Sequence, residues 1–374
     1  MMMKKLISLL LALSLLALLP CLAAAEEPVS VTGQVTAVEK YGHALLDVSI
    51  EDFLAAGFSL GDVVTVTAGT YEGDMPFFNG YYVENGGYMV RAYPGHEFIA
   101  VCINYGKFAE TAGIDVGDPV TITLKTPGGA LTVQEINSLT YTNDPADYAS
   151  DEVFANWRAI TLGAIGEGRL YRSCSPVDNQ YNRAAVANAL AEAAGIRTVL
   201  NLADTAEELQ AHTEEEGFAS DYYMSLDILP LGMPINFTSE EFGNYIAQGL
   251  TFMASGEAPY LVHCTEGKDR AGFTAMVLEA LMGATLEEIE ADYMLSYVNY
   301  YHIDPEADAE KYVMLMEKNI VPMVQALAGE GADLAAVDLA AAAESYLLAH
   351  GMTAEATKPQ VAKIVYSALG KRGR

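Results

Sequence analysis

Residues 258–283 read APYLVHCTEGKDRAGFTAMVLEALMG. The run APYLV is apolar at nearly every position, as suits a strand covered on both faces. The stretch after Arg270, AGFTAMVLEALMG, has the length and apolar content of a buried helix. Between them lies C-T-E-G-K-D-R, residues 264–270. A strand that passes through a short loop into a helix is the building unit of an α/β sheet. The flanking sequence agrees. TVLNLA (198–203) and YYMSLDIL (222–229) read as further buried strands, and RAAVANALAEAAG (183–195) and SEEFGNYIAQGLTFMASG (239–256) as helices. Thr285 and Glu288 form a capping-box pair that starts another helix.

A loop at such a junction can turn its backbone N–H groups toward one point, with the helix N-terminus behind them. That arrangement binds a phosphate dianion. Gly267 permits the tight curl, and the planar fork of Arg270 can hold two phosphate oxygens. The phosphate-binding candidates are therefore Thr265, Glu266, Gly267, Lys268, Asp269 and Arg270. A positive site of this kind lowers a cysteine pKa from about 8.5 into the range of roughly 3.5–7.5. Cys264 is thus a candidate nucleophile that forms a phosphocysteine. His263 is expected to orient the loop by hydrogen bonding, and Lys268 to steer substrate.

The spacing H-C-x2-G-x2-R resembles the signature of the cysteine-dependent protein tyrosine phosphatases. Its GKDR ending is most similar to the bacterial branch whose loop reads H-C-x-x-G-K-D-R-T-G. ANWRAITLGAIGEGRLYRSCSP (155–176), AGIRTVLNLADTAEE (194–208) and ATLEEIEADYMLSYVNYY (284–301) extend the resemblance over about residues 150–370. It implies hydrolysis of phosphotyrosine, and of phosphoserine, phosphothreonine or phosphoinositides in some members, without metal or organic cofactor. The implied partners are a phosphorylated protein, a lipid or a small phosphate ester. In that branch the loop aspartate is a proposed general acid, which maps to Asp269; Asp227 and Asp204 are the alternatives. Three positions depart from the pattern. Ala271 stands where most members carry Ser or Thr, and Asn201 and Ala203 replace an Asp and an Arg. Glu266 and Asp269 formally cancel Lys268 and Arg270, which favours a single phosphate monoester over a densely charged inositol polyphosphate. Loss of the hydroxyl at 271 keeps open a second reading, a catalytically impaired phosphate- or phosphoprotein-binding module.

Residues 28–140 follow a different grammar. Short β-rich runs (VSVTGQVTAV, HALLDVSI, DVVTVTAG, YMVRAY, EFIAVCI, PVTITL) alternate with Gly, Asp, Asn and Pro turns, which predicts a small barrel or sandwich. GFSLGDVVTVT (57–67) and GIDVGDPVTIT (113–123) share the pattern G-x-x-x-G-D-x-V-T-x-T, a duplicated β-motif. EKYGHALLDV and FIAVCINYGKFAETAGIDVGD loosely resemble the C-terminal β-domain of the S-adenosylmethionine hydroxide adenosyltransferases. That resemblance implies a barrel shape and carries no activity. Two domains are expected: a β-rich barrel-like domain over 28–147 and an α/β phosphatase-like domain over 148–374, with the phosphate loop between strand and helix.

Ahead of both, Lys4 and Lys5, the apolar run 6–19 and Ala23-Ala24-Ala25 form a secretory signal, residues 1–25. The expected location is secreted or extracytoplasmic, with no stable membrane span. A formal charge of −30 repels nucleic acid and anionic membrane. Past the signal, Cys102, Cys174 and Cys264 are too few and too scattered for a disulfide framework or a metal site. Cys174 is a candidate partner for a protective disulfide to Cys264. Tyr293, Tyr297, Tyr300 and Tyr301 share a helical stretch and are read as a packing stripe, with a substrate-stacking wall as the alternative.

Overall fold

A computed structural model of the chain describes residues 28–353 together with Ile364. The signal expected over residues 1–25 lies outside the described residues. The chain divides between Asn137 and Ser138 into two compact units.

The first unit is a closed barrel of seven strands, β1 (Ser30–Val38), β2 (Ala44–Ser49), β3 (Val63–Ala68), β4 (Tyr71–Phe78), β5 (Tyr88–Arg91), β6 (Phe98–Ile103) and β7 (Pro119–Thr126), in the order β1-β2-β6-β5-β4-β3-β7. Six of them fall on the β-rich runs read from the sequence. The seventh, β4, was not among those runs, because Glu72, Gly73, Asp74 and Pro76 interrupt its apolar pattern. Its inward residues Met75 and Phe77 are buried in the barrel core all the same, and Phe78, on the opposite face, is buried in a separate cluster with Met89, Ala100 and Cys102.

The duplicated motif has a structural counterpart. β3 and β7 follow the two Gly-Asp turns and pair antiparallel with each other, with Val66 opposite Ile122. In both copies the turn glycine has a positive φ, +90° at Gly61 and +93° at Gly117. In both, the next aspartate accepts from the backbone N–H three residues earlier, Asp62 from Ser59 at 2.7 Å and Asp118 from Asp115 at 2.8 Å. The Gly-Asp step thus turns the chain and caps the turn before each strand begins.

The second unit is built on a five-stranded sheet of β8 (Arg158–Ile160), β9 (Leu170–Ser173), β10 (Thr198–Asn201), β11 (Asp227–Pro230) and β12 (Tyr260–His263), in the order β11-β10-β12-β9-β8. β9, β12, β10 and β11 are parallel, and β8 is antiparallel at the edge. β12 is the central strand and is buried at all four positions. The expected strand at 222–229 is corrected. Asp221–Met224 is a short helix and β11 starts only at Asp227, because Tyr223 turns inward to be wholly buried. The capping box at Thr285 and Glu288 is present, and Thr205 and Glu208 form a second one. No helix among the described residues is long and apolar enough to cross a membrane.

The division at 137/138 falls ten residues before the end of the barrel-like segment expected at 147. Arg183 explains where segment 141–148 belongs. Its buried guanidinium lies over the rings of Phe154, Tyr300, Tyr148 and Tyr141 at 4.2–5.2 Å, and donates to the Thr142 carbonyl at 2.8 Å. A desolvated cation boxed by aromatic faces holds this polar stretch to the second unit.

In the barrel, Phe53 is fully buried, stacked on Phe58 at 4.0 Å and edge-on to Phe77 at 4.9 Å. Phe53→Ala should destabilise the barrel by about 3–5 kcal/mol. Denaturant unfolding followed by barrel tyrosine fluorescence checks this, and an unchanged midpoint would contradict it.

Candidate active site

The four parallel strands end at one level. Asn201, Pro230 and Ser173 lie in register beside His263 across β10, β11, β12 and β9. Cys264 leaves the central strand at that edge, and the helix Asp269–Leu281 begins five residues later. The first N–H groups of a helix have no intrahelical acceptor. Here they follow directly on those of the loop, with the helix dipole behind them.

The curl is held from below. Gly267 has φ +68°, and a Cβ there would stand 2.1 Å from the Ser173 carbonyl oxygen, so no side chain fits. Arg172, on β9, donates through Nη2 to the carbonyls of Gly267 and Lys268, each at 2.9 Å. Asn156 donates to the Glu266 carbonyl at 3.1 Å and Tyr300 donates to it at 2.6 Å. With its carbonyls drawn outward in this way, the loop turns its N–H groups to the opposite side. Arg270 is positioned from above: Nη1 donates to the carbonyls of Met233 and Leu202 at 3.0 and 3.3 Å, and Nη2 to Thr265 Oγ1 at 3.1 Å.

Arg172 itself is 1% exposed and depends on Asp292, which accepts from its Nη1 at 2.6 Å and from Arg158 Nε at 2.8 Å. Burial works against the Asp292 charge, but the two guanidiniums outweigh it and hold the carboxyl below its usual range. Next to this group, burial and then Asp292 push the Glu279 carboxyl well up.

Residues 156–358 match the tyrosine phosphatase family. The chain belongs to that family. A Cupriavidus necator protein that carries a tyrosine-protein phosphatase designation is 29% identical over 161 residues, which cover 35% of this chain and 54% of the relative. The chain thus spans about half the length of the curated relative it matches. Among solved structures, the core catalytic domain of the PP-IP phosphatase SIW14 from S. cerevisiae is 18% identical, with a TM-score of 0.27, over 44% of this chain and 96% of that one. An uncharacterized conserved protein from Thermotoga maritima is 23% identical, with a TM-score of 0.24, over 26% of this chain and 36% of that one.

In this tyrosine phosphatase family member, Cys264, Thr265, Glu266, Gly267, Lys268, Asp269 and Arg270 come together as one loop. His263 sits beneath it, fully buried, with Nε2 2.7 Å from the Tyr223 hydroxyl and Nδ1 3.4 Å from the Cys264 carbonyl. Asp269 accepts from Tyr293 at 2.6 Å. Glu266 accepts from Tyr141 at 2.5 Å and lies 3.5 Å from Lys268 Nζ. Lys268 also rests over Tyr297 and Tyr301, at 5.2 and 5.5 Å. Burial opposes its charge, yet Asp269, Tyr297 and Glu266 outweigh that and raise its pKa above the ordinary value. The four tyrosines of the helix Leu286–Tyr301 therefore do more than pack: they fix the loop's acid, its lysine and a carbonyl.

Asp227 does not belong to the site. It is level with Thr198 and Tyr260, three residues before His263, and so about 10 Å toward the far edge of the sheet. The start of β11 at Asp227 puts it there. Asp204 lies at the correct edge, two residues past the Leu202 carbonyl that holds Arg270. It accepts from Asn201 Nδ2 at 2.8 Å, and burial raises its pKa. Asn201 occupies the position where the family pattern has Asp, and its Oδ1 caps the N–H groups of Ala203 and Asp204. Cys174 is a free thiol, pushed up to about 12 by burial.

The bracing set is Asn156, Arg158, Arg172, Asp292 and Tyr141; sequence reasoning reads Arg172 as structural rather than substrate-binding and assigns the other four no role. The NWR and LYRS segments contained the signal for three of these, but their partners lie more than 90 residues away along the chain.

Two outcomes follow. Asp292→Asn leaves two buried guanidiniums without their counter-charge and should cost about 3–5 kcal/mol, together with most phosphatase turnover. Thermal melts and an aryl phosphate assay measure both, and loss of neither would refute the bracing role. Burial holds the His263 imidazole down at about 3, against an unfolded value of about 6.5. The unfolded chain binds a proton below about 6.5 that the native state refuses until about 3. Stability from this group is therefore complete above pH 6.5 and is lost as pH falls toward 3. In His263→Asn, the decline in denaturant midpoint between pH 7 and pH 4 should be shallower than in the parent protein.

Proposed function

We propose that the chain is an exported phosphatase that hydrolyses phosphate monoesters through a phosphocysteine intermediate. The observation that carries this reading is the loop itself. Cys264 and Arg270 are held around Gly267, and Arg172, Asn156 and Tyr300 all brace the loop through its carbonyls, which leaves its N–H side for phosphate oxygens. The Cys264 thiolate attacks phosphorus, the bond to the leaving oxygen breaks, and that oxygen takes a proton from an acid. Water then attacks the phosphocysteine, the S–P bond breaks, and inorganic phosphate and the thiolate result. Arg270 and the loop N–H groups stabilise the charge on the equatorial oxygens in both steps.

Asp269 is the proposed acid, with Tyr293 fixing its carboxyl at the helix start. The substrate class follows from charge. Lys268 lies within 4.0 Å of both Glu266 and Asp269, which leaves Arg270 as the loop cation without a carboxylate partner among the described residues. One phosphate group on a phosphotyrosine, phosphoserine, phosphothreonine or singly phosphorylated lipid suits this better than a polyphosphate. Export rests on the signal-like residues 1–25.

The test is phosphate release from aryl and alkyl phosphates. Cys264→Ser should abolish it. Asp269→Asn should lose about 10²–10⁴-fold on an alkyl phosphate, whose poor leaving group needs the proton, and far less on nitrophenyl phosphate. An equal loss on both would exclude Asp269 as the acid. Ala271→Thr, which restores a hydroxyl at the helix start, should speed phosphocysteine breakdown in a rapid-quench experiment. If the folded, reduced protein binds phosphate with no turnover, the phosphate-binding module replaces the enzyme reading.

A further inference from the structure

The barrel unit holds a groove that the phosphatase chemistry does not use. A cavity of about 690 Å³ and an adjoining one of about 410 Å³ share Lys40, Tyr41, His43 and Tyr81. Both volumes fall in the range of binding sites for small molecules or chain segments. Tyr105 and Lys107 extend the groove at one end, and Tyr93 and His96 at the other.

Three independent features mark it. The first is aromatic. Tyr41, His43, Tyr81, Tyr93 and His96 form a continuous row of rings, with successive centroids 6.4, 5.8, 6.3 and 5.5 Å apart. The second is charge. Residues 28–137 contain four Lys and Arg against 13 Asp and Glu, yet three of those four cations, Lys40, Arg91 and Lys107, line this groove. The third is backbone strain. Tyr105 has φ +54° and is 91% exposed. An aromatic residue is costly in the left-handed region, and such outliers gather at binding sites. Here the strain sets a ring at the rim where it packs against little of the barrel itself.

The polar floor restricts the ligand. Arg91 is 4% exposed, and both its terminal nitrogens are engaged: Nη1 with Tyr81 at 3.1 Å and Glu39 at 3.2 Å, Nη2 with Glu39 at 3.3 Å and His96 at 3.4 Å. The fork that would grip a phosphate is therefore already closed on a carboxylate. What remains for a ligand is the exposed faces of Tyr41, Tyr81, Tyr93 and Tyr105, tilted to one another, their phenol hydroxyls, and the ammonium groups of Lys40 and Lys107, the latter paired at the surface with Glu110 at 3.1 Å. Pyranose rings offer C–H faces for such stacking and hydroxyls for such phenols. Lys40, and Lys107 once it exchanges its exposed and therefore weak pair with Glu110 for the ligand, add attraction for spaced, singly charged groups.

We propose that this groove binds an extended acidic oligosaccharide, a sugar chain carrying carboxylates, and so places the phosphatase unit at a carboxylated glycan. The test is affinity electrophoresis of the full chain in gels containing polygalacturonate, alginate or hyaluronan, with dextran as neutral control. At least one carboxylated polymer should retard the protein. Tyr41→Ala and Tyr105→Ala should each weaken that retardation at least fivefold, and Lys107→Ala at least twofold. Aryl phosphate turnover should be unchanged in all three, which shows the protein intact. The proposal is overturned if none of the carboxylated polymers retards the chain. It is also overturned if the Tyr41 and Tyr105 variants are retarded as the parent is, or if a phosphopeptide binds through these tyrosines while the glycans do not.

Discussion

The site depends on one buried guanidinium. Arg172 and Arg158 face each other directly across β9 and β8, a like-charge pair that would by itself weaken the sheet. Asp292, reaching in from the helix Leu286–Tyr301, binds both and turns a repulsion into a bridge. Burial and Asp292 disfavour a second negative charge on Glu279 in the same dry space. With its charge compensated, Arg172 can spend its remaining N–H groups on the carbonyls of Gly267 and Lys268. The loop's shape is thus set by an ion group that never touches the phosphate site.

The tyrosines extend this logic to the other side of the loop. Each phenol that reaches it is buried enough to stay protonated, and so acts as a donor to Asp269, to the Glu266 side chain or to the Glu266 carbonyl. The rings of Tyr297 and Tyr301 meanwhile carry the lysine. A loop crowded with two carboxylates and a lysine would otherwise have several competing arrangements. Hydroxyls and ring faces at fixed positions on the helix Leu286–Tyr301, together with the Tyr141 hydroxyl, select a single one.

The barrel solves a different problem with local means. Its two Gly-Asp turns each pair a positive-φ glycine with a self-capping carboxylate, and the strands they launch lie side by side. Local chemistry of this kind is readable in a sequence, as six of the seven strands and the duplication were. β4 escaped because its polar residues and Pro76 obscure the alternation, and only closure of the barrel buries its apolar side.

By itself, the sequence determined the strand–loop–helix unit, the loop that runs from Cys264 to Arg270, and the family. Those features lie within a few residues of each other and obey spacing rules that local geometry imposes. Tertiary structure decided which carboxylates belong to the site. Asp227 and Asp204 look alike along the chain, but strand register sends one to the far edge of the sheet and the other to the loop's edge. It also decided what holds the loop, since Asn156, Arg172 and Asp292 meet only when β8, β9 and the helix Leu286–Tyr301 pack together. Side chains more than 90 residues apart leave no periodic trace, so their meeting is visible only once the chain has folded.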